Sequence, residues 1–200
     1  MCFYSKLSKS AQELQNRFNA KFENENDYQP AIYNGFEFPK TPVITNSNIN
    51  KIQLFHWGLI PHWAKDNSIR KSTLNAKIET IHEKPAFRAS LNNRCLVIAD
   101  GFYEWQWLDE NGKSKQKYLI TIPGNELFVF GGLWSIWANS QTGEIINTYT
   151  ILTTEANGLM REIHNSKKRM PVILAKGNEF DWLSEGKLSN TAIELLATKI

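Results

Sequence analysis

The second residue of the chain is a cysteine, and its position matters more than its type. Once the initiator Met1 is removed, a step that a small penultimate side chain permits, Cys2 presents a thiol and an α-amine on one carbon. Near neutral pH such an amine, with a reference pKa of about 7.7 to 8, is substantially unprotonated, and a thiol near about 8.5 is partly thiolate. An aldehyde meeting the pair can form a Schiff base with the amine and close through sulfur to a thiazolidine, which an internal cysteine such as Cys95 cannot do. The plain alternative for Cys2 is a small buried hydrophobe. Glu104 lies in an apolar run, where period-2 alternation sets it beside Phe102 and Ile98 on one strand face. Desolvation there raises a carboxyl toward the range useful for general acid/base work, unless a neighbouring Lys or Arg pairs with it. His164 closes a helical pattern just before the basic run Lys167-Lys168-Arg169, and reads either as a second proton carrier or as a complement to a helix dipole. Asn75 completes the polar candidates.

These residues need elements to hold them. The capping box Ser10-Ala11-Gln12-Glu13, followed by Leu14, Phe18 and Phe22 at intervals of four, predicts an amphipathic helix over 10–23. Stretches 53–59, 94–108, 117–122, 127–138 and 144–153 are rich in aromatic and β-branched residues and read as strands. The short polar turns at 109–112, 123–125 and 139–143 join the later ones as antiparallel neighbours. Helical spacing returns at 156–163, 178–183 and 190–198, with one more strand at 171–174. The expected architecture is a single α+β domain spanning 1–200, a mainly antiparallel curved sheet or pseudo-barrel wrapped by a few helices.

Composition narrows the function. With 23 basic against 20 acidic residues, a net charge of +3 and 42% apolar content, the chain is neither disordered nor fibrous, and its charge alone does not demand a nucleic-acid partner. No apolar run approaches the roughly 18 residues of a membrane span, and no signal-peptide core follows Met1, so a cytoplasmic protein is expected. Two cysteines without a Cys-x-x-Cys pair give no zinc motif, and Walker and dinucleotide motifs are absent, so neither metal nor cofactor is expected. Seven tryptophans stand out. Trp63, in a loop after Pro61, and Trp105 are candidate base-stacking surfaces, with core packing the alternative. Lys77, Arg88, Lys167, Lys168 and Arg169 are candidate phosphate contacts, or simply a solvated basic face.

Met1-Cys2, Trp57-Gly58-Leu59-Ile60-Pro61, Asn75-Ala76-Lys77-Ile78-Glu79-Thr80, Cys95-Leu96-Val97-Ile98-Ala99-Asp100-Gly101-Phe102-Tyr103-Glu104-Trp105 and Ile163-His164 ahead of Arg169-Met170-Pro171 together resemble the SRAP family of SOS-response-associated peptidases, abasic-site processing proteins. The resemblance implies self-removal of Met1 and a thiazolidine crosslink between Cys2 and the ring-opened sugar aldehyde of an abasic site in single-stranded DNA. It implies Glu104 as the proton-transfer carboxylate, and Asn75 holding the sugar and Cys2. His164 would assist Schiff-base formation and strand scission or crosslink reversal. The partner implied is abasic-site-containing single-stranded DNA, bound by a monomer that associates with the nucleoid. Two other readings stand beside it: a thiol peptidase acting on other proteins, and a non-catalytic nucleic-acid-binding barrel. The sequence departs from the family pattern where Phe3 and Tyr4 replace a Gly-Arg pair, where Lys77 replaces an arginine, and where Asn165-Ser166-Lys167-Lys168 lengthens the link from His164 to Arg169.

Overall fold

One aspartate divides an apolar run of the sequence, residues 95–103. The computed structural model describes residues 2–188 and 193–200, and in it the stretch expected as one strand over 94–108 turns at Asp100 and enters a second sheet. In chain order the elements are β1 (Tyr4–Leu7), α1 (Ala11–Phe18), β2 (Lys21–Phe22), β3 (Ala31–Asn34), β4 (Lys40–Thr45), β5 (Asn48–Trp57) and β6 (Asn75–Lys77). There follow α2 (Pro85–Arg88), β7 (Arg94–Ala99), β8 (Gly101–Trp107), β9 (Lys115–Thr121), β10 (Phe128–Ala138) and β11 (Ile145–Glu155). Last come α3 (Gly158–Ile163), β12 (Arg169–Pro171), β13 (Ile173–Leu174), α4 (Glu179–Glu185) and β14 (Leu196–Lys199).

The larger sheet runs β12-β11-β10-β7-β4-β5-β2, and a parallel pairing of Thr148 and Tyr149 on β11 with His56 and Trp57 on β5 closes five of its strands into a barrel. Alternate residues of those strands divide between two apolar clusters. Ile44, Leu96, Ile98, Val129 and Leu152 pack with Leu14 and Phe18 of α1 and Trp182 and Leu183 of α4. Val43, Trp57, Cys95, Val97, Phe130 and Tyr149 pack instead with Cys2, Phe102 and the α3 residues Met160 and Ile163. The second sheet, β14-β9-β8-β1-β3, holds the start of the chain in its interior, with Tyr4 paired to Tyr103 on one side and Asn34 on the other.

Asp100 makes the passage between sheets. Its amide donates to the Lys6 carbonyl, and its buried carboxylate accepts from the Ser8 amide at 2.8 Å, the Ser8 hydroxyl and the Lys6 ammonium at 3.0 Å. Next to it, a Cβ on Gly101 would lie 3.0 Å from the Leu119 side chain, so glycine lets β9 close on the bend. The bend also corrects one expectation: Ile98 falls in the cluster under α1 and α4, not beside Phe102 and Glu104.

The structure departs from the sequence reading in several elements: β1, β3, β4 and β6 are not expected from it, and β5 spans Asn48–Trp57 where 53–59 is expected. The capping box forms, but Asn19 takes a left-handed conformation that ends α1 at Phe18, and Phe22 enters β2. The strand expected over 171–174 is two short pieces, β12 and β13. Of the helix expected over 190–198, residues 190–192 lie outside the described residues, and Leu196–Lys199 is a strand paired with β9. Its four residues have β-branched Thr198 but no buried stripe, and the open edge of β9 supplies the backbone partners. No described helix is long and apolar enough to cross a membrane.

Candidate active site

The register of β1 against β8 brings the first residues of the chain alongside Glu104, since Tyr4 lies opposite Tyr103 and the two strands are antiparallel. Cys2 is fully buried, and its Sγ lies 3.8 Å from the Tyr4 carbonyl. Asn75 Nδ2 donates to the Cys2 carbonyl at 2.8 Å. Asn75 is placed by β6, which pairs in parallel with Ile151–Thr153 of β11. Trp57 secures the approach to β6 by donating its Nε1–H to the Leu74 carbonyl at 2.8 Å. Gly58, at a φ of 105°, then turns the chain away beneath Arg70 and Phe38. The other polar atom of Asn75, Oδ1, is buried and has no hydrogen-bond partner among the described residues.

Burial pushes the Cys2 thiol well above its ordinary value, and the nearby Glu104 charge raises it further. Burial likewise pushes Glu104 up to about 7, so its protonated and ionised forms are near balance at neutral pH. His164 Nε2 lies 3.9 Å from Glu104 Oε2. Burial lowers the histidine to about 4, which makes it a neutral imidazole at neutral pH.

The His164 ring is held from its far side by a single residue. Nδ1 lies 2.8 Å from the Arg169 carbonyl oxygen and 3.1 Å from the Arg169 amide nitrogen. Nδ1 can therefore donate to the carbonyl, leaving Nε2 an acceptor for a protonated Glu104, or accept from the amide, leaving Nε2–H to face an ionised one. The main chain of one residue thus accommodates both protonation states of the carboxyl. The loop after α3 is docked by Asn165, whose side chain accepts from the Trp107 amide at 3.0 Å and donates to its carbonyl at 2.9 Å. The longer link at 165–168 is in this way tied to the edge of β8, and no sequence signal marks Asn165 for that role.

The structure brings Cys2, Asn75, Glu104 and His164 to one place, with His164 as the residue that ends α3 and Glu104 facing it from β8. The remaining candidates are spread around it. Trp63 is half exposed in a turn that Trp137 fixes by donating Nε1–H to the Ala64 carbonyl at 2.7 Å. Trp105 is half-buried against Tyr4, with Lys117 Nζ 5.7 Å from its ring. Lys77, Arg88, Lys167 and Lys168 are exposed. Arg169 differs: its guanidinium is largely covered and grips both carboxylate oxygens of Glu79, at 2.9 and 2.8 Å. In the sequence Glu79 is only a motif letter; its pairing joins residues 90 apart in the chain and no local pattern announces it.

Among the described residues no group of three or more His, Cys, Asp or Glu side chains is arranged to hold a metal ion. The family model described as SOS response associated peptidase (SRAP) matches residues 1–200. "Abasic site processing protein YoaM" of Bacillus subtilis is 38% identical over 198 residues, covering 98% of this chain and 85% of its own. "Abasic site processing protein HMCES" of Xenopus tropicalis is 31% identical over 203 residues, 84% of this chain and 58% of its own. Among solved structures, a protein of Bacteroides thetaiotaomicron superposes with a TM-score of 0.89 at 34% identity, covering 100% of this chain and 92% of that one.

Proposed function

The chain belongs to the SOS response associated peptidase (SRAP) family, and on that premise we propose that it processes abasic sites by capturing them covalently in single-stranded DNA through Cys2, after removing its own Met1. The observation that carries the reading is the convergence of Asn75, a carboxyl raised to about 7 and a neutral imidazole around the first residues of the chain.

The chemistry balances without a cofactor. The freed amine of Cys2 adds to the sugar aldehyde, and water leaves from the carbinolamine to give a Schiff base. The thiol then adds across the C=N bond, its proton passing to nitrogen, so that aldehyde and aminothiol become thiazolidine plus one water. Burial keeps the thiol protonated, so sulfur needs a base as it attacks and the leaving hydroxyl needs an acid. A carboxyl near 7 serves both in turn. His164 returns or withdraws the same proton through Nε2 and assists Schiff-base formation, scission or reversal. Asn75 holds the Cys2 carbonyl through Nδ2 and offers Oδ1 to a sugar hydroxyl. Trp63 and Trp105 offer ring surfaces to flanking bases, and Lys77, Arg88, Lys167 and Lys168 offer charge to phosphates.

The test mixes purified protein with a single-stranded oligonucleotide carrying one abasic site and runs a denaturing gel. The wild type gives a shifted band, and Cys2→Ala gives none while still retarding the same DNA on a native gel. Absence of a band from wild-type protein whose Met1 is shown by mass spectrometry to be gone refutes covalent capture.

A further inference from the structure

We infer that the site also captures free short-chain hydroxyaldehydes, as thiazolidines on processed Cys2, and that a chain capped in this way no longer crosslinks DNA; the chemistry at Cys2 rests on the abasic-site reading above. The groups that meet Cys2 are internal to the fold. Asn75 Nδ2 holds the Cys2 carbonyl at 2.8 Å, the charge of Glu104 acts on the thiol, and His164 Nε2 lies 3.9 Å from Glu104. The candidate contacts to bases and phosphates, Trp63, Lys77, Arg88, Lys167 and Lys168, are at the surface, and no step of the ring closure uses them. The apparatus therefore addresses an aldehyde carbon and its neighbours rather than a polynucleotide.

Two features define which aldehydes suit it. Cys2 is fully buried and shares an apolar cluster with Phe102, Tyr149, Met160 and Ile163. Such surroundings exclude the water that would hydrolyse a Schiff base, and a short aldehyde needs the smallest opening to enter them. Asn75 supplies the second feature. Its Oδ1 is buried with no hydrogen-bond partner among the described residues, and it belongs to the same planar amide whose Nδ2 holds Cys2. An orphaned buried acceptor is costly, and a hydroxyl on the carbon next to the aldehyde satisfies it where a methyl group cannot. Glycolaldehyde and propanal, alike in shape but carrying a hydroxyl and a methyl there, are thus told apart. The reaction balances without a co-reactant. The amine nitrogen bonds the aldehyde carbon and gives up both its protons to the departing oxygen, which leaves as water. Sulfur then bonds the same carbon, and the thiol proton moves to nitrogen. Glu104, held near 7, relays these protons and ends in the state in which it began.

The experiment uses protein shown by mass spectrometry to begin at Cys2, with a peptide of the sequence of residues 2–9 as the reference for unassisted ring closure. Each is mixed with glycolaldehyde or propanal at neutral pH, and the gain of one aldehyde less one water is followed by intact mass. The protein is expected to take up glycolaldehyde about a hundredfold faster than the peptide, the scale of a positioned acid and base, and Glu104→Gln to lose that advantage. Normalised to the peptide, glycolaldehyde should be preferred over propanal by about tenfold. Cys2→Ala should gain no such mass, and capped protein should give no shifted band with abasic single-stranded DNA. Protein that reacts no faster than the peptide, or without preference for glycolaldehyde, yet still crosslinks abasic DNA overturns the inference and leaves the abasic-site reading in place. Capped protein that still crosslinks DNA refutes the competition. Assisted capture of glycolaldehyde by protein that gives no band with abasic DNA does the reverse: the abasic-site reading falls and the aldehyde site stands.

Discussion

Replacing Glu104 by Gln should make the protein more stable in alkaline than in acid solution relative to wild type, and less active throughout. Glu104 is 3% exposed, and burial raises it from 4.5 in the unfolded chain to about 7 in the folded one. Below pH 4.5 the carboxyl is protonated in both states and contributes nothing to the pH dependence. Between 4.5 and 7 the unfolded chain releases a proton that the folded chain retains, so rising pH favours unfolding. Above 7 both are ionised, and the folded state carries the full cost of a buried carboxylate. A displacement from 4.5 to about 7 corresponds to about 3 kcal/mol. The amide introduced by Glu104→Gln cannot ionise, so the stability gap between variant and wild type should widen by about 3 kcal/mol from pH 4.5 to about 8. Urea melts of both proteins across that range read the gap directly, and titrating groups that do not interact with Glu104 cancel in the difference. A gap that is flat with pH, or that narrows, refutes the account of Glu104 as a carboxyl held near neutrality by burial. A stabilised variant that cannot crosslink would show the site maintained at the expense of the fold.

Asp100→Ala removes the acceptor for the Ser8 amide, the Ser8 hydroxyl and Lys6, and urea denaturation should show a loss of about 3 kcal/mol. Trp63→Ala should leave the melting temperature unchanged, because the ring is half exposed, and weaken non-covalent binding of single-stranded DNA by about 1 to 3 kcal/mol in a fluorescence titration. The double variant Lys167→Gln, Lys168→Gln should reduce the salt slope of that binding by about 1.4 if each lysine meets one phosphate; an unchanged slope removes both from the DNA path.

What the sequence displays and what it conceals follow from the range of each interaction. The alternation of the later strands and the capping box at Ser10 are local patterns, and the structure contains a helix and strands there. The strand break at Asp100 is not legible, because Asp100 looks like one polar interruption in an apolar run; its partners Lys6 and Ser8 are 94 and 92 residues away. The β14 strand escapes for a related reason. Helical spacing in an exposed tail is weak information when the edge of β9 is open to receive a strand. Cys2, Asn75, Glu104, His164 and Arg169 can each be nominated from residue type and motif, but the partner of Arg169 cannot. A guanidinium seen in sequence is a free cation until its carboxylate is found, and Glu79 is 90 positions distant.

The bend at Asp100 also explains why the buried carboxyl is where it is. Had the run continued straight, Glu104 would share a face with Ile98 and lie under α1 and α4, desolvated and remote from the amino terminus. By passing the chain into the second sheet, the bend pairs β8 with β1, and the N-terminal residues then run toward Glu104 by register alone. The same residue that turns the strand accepts from Lys6 and Ser8 at the far end of β1, so bend and pairing are fixed by one carboxylate. The nucleophile candidate and its acid/base partner are thus aligned by the main chain of two adjacent strands. The imidazole and the Asn75 amide come instead from separate loops and short strands, the imidazole held by the Arg169 main chain in a loop that Asn165 docks on Trp107.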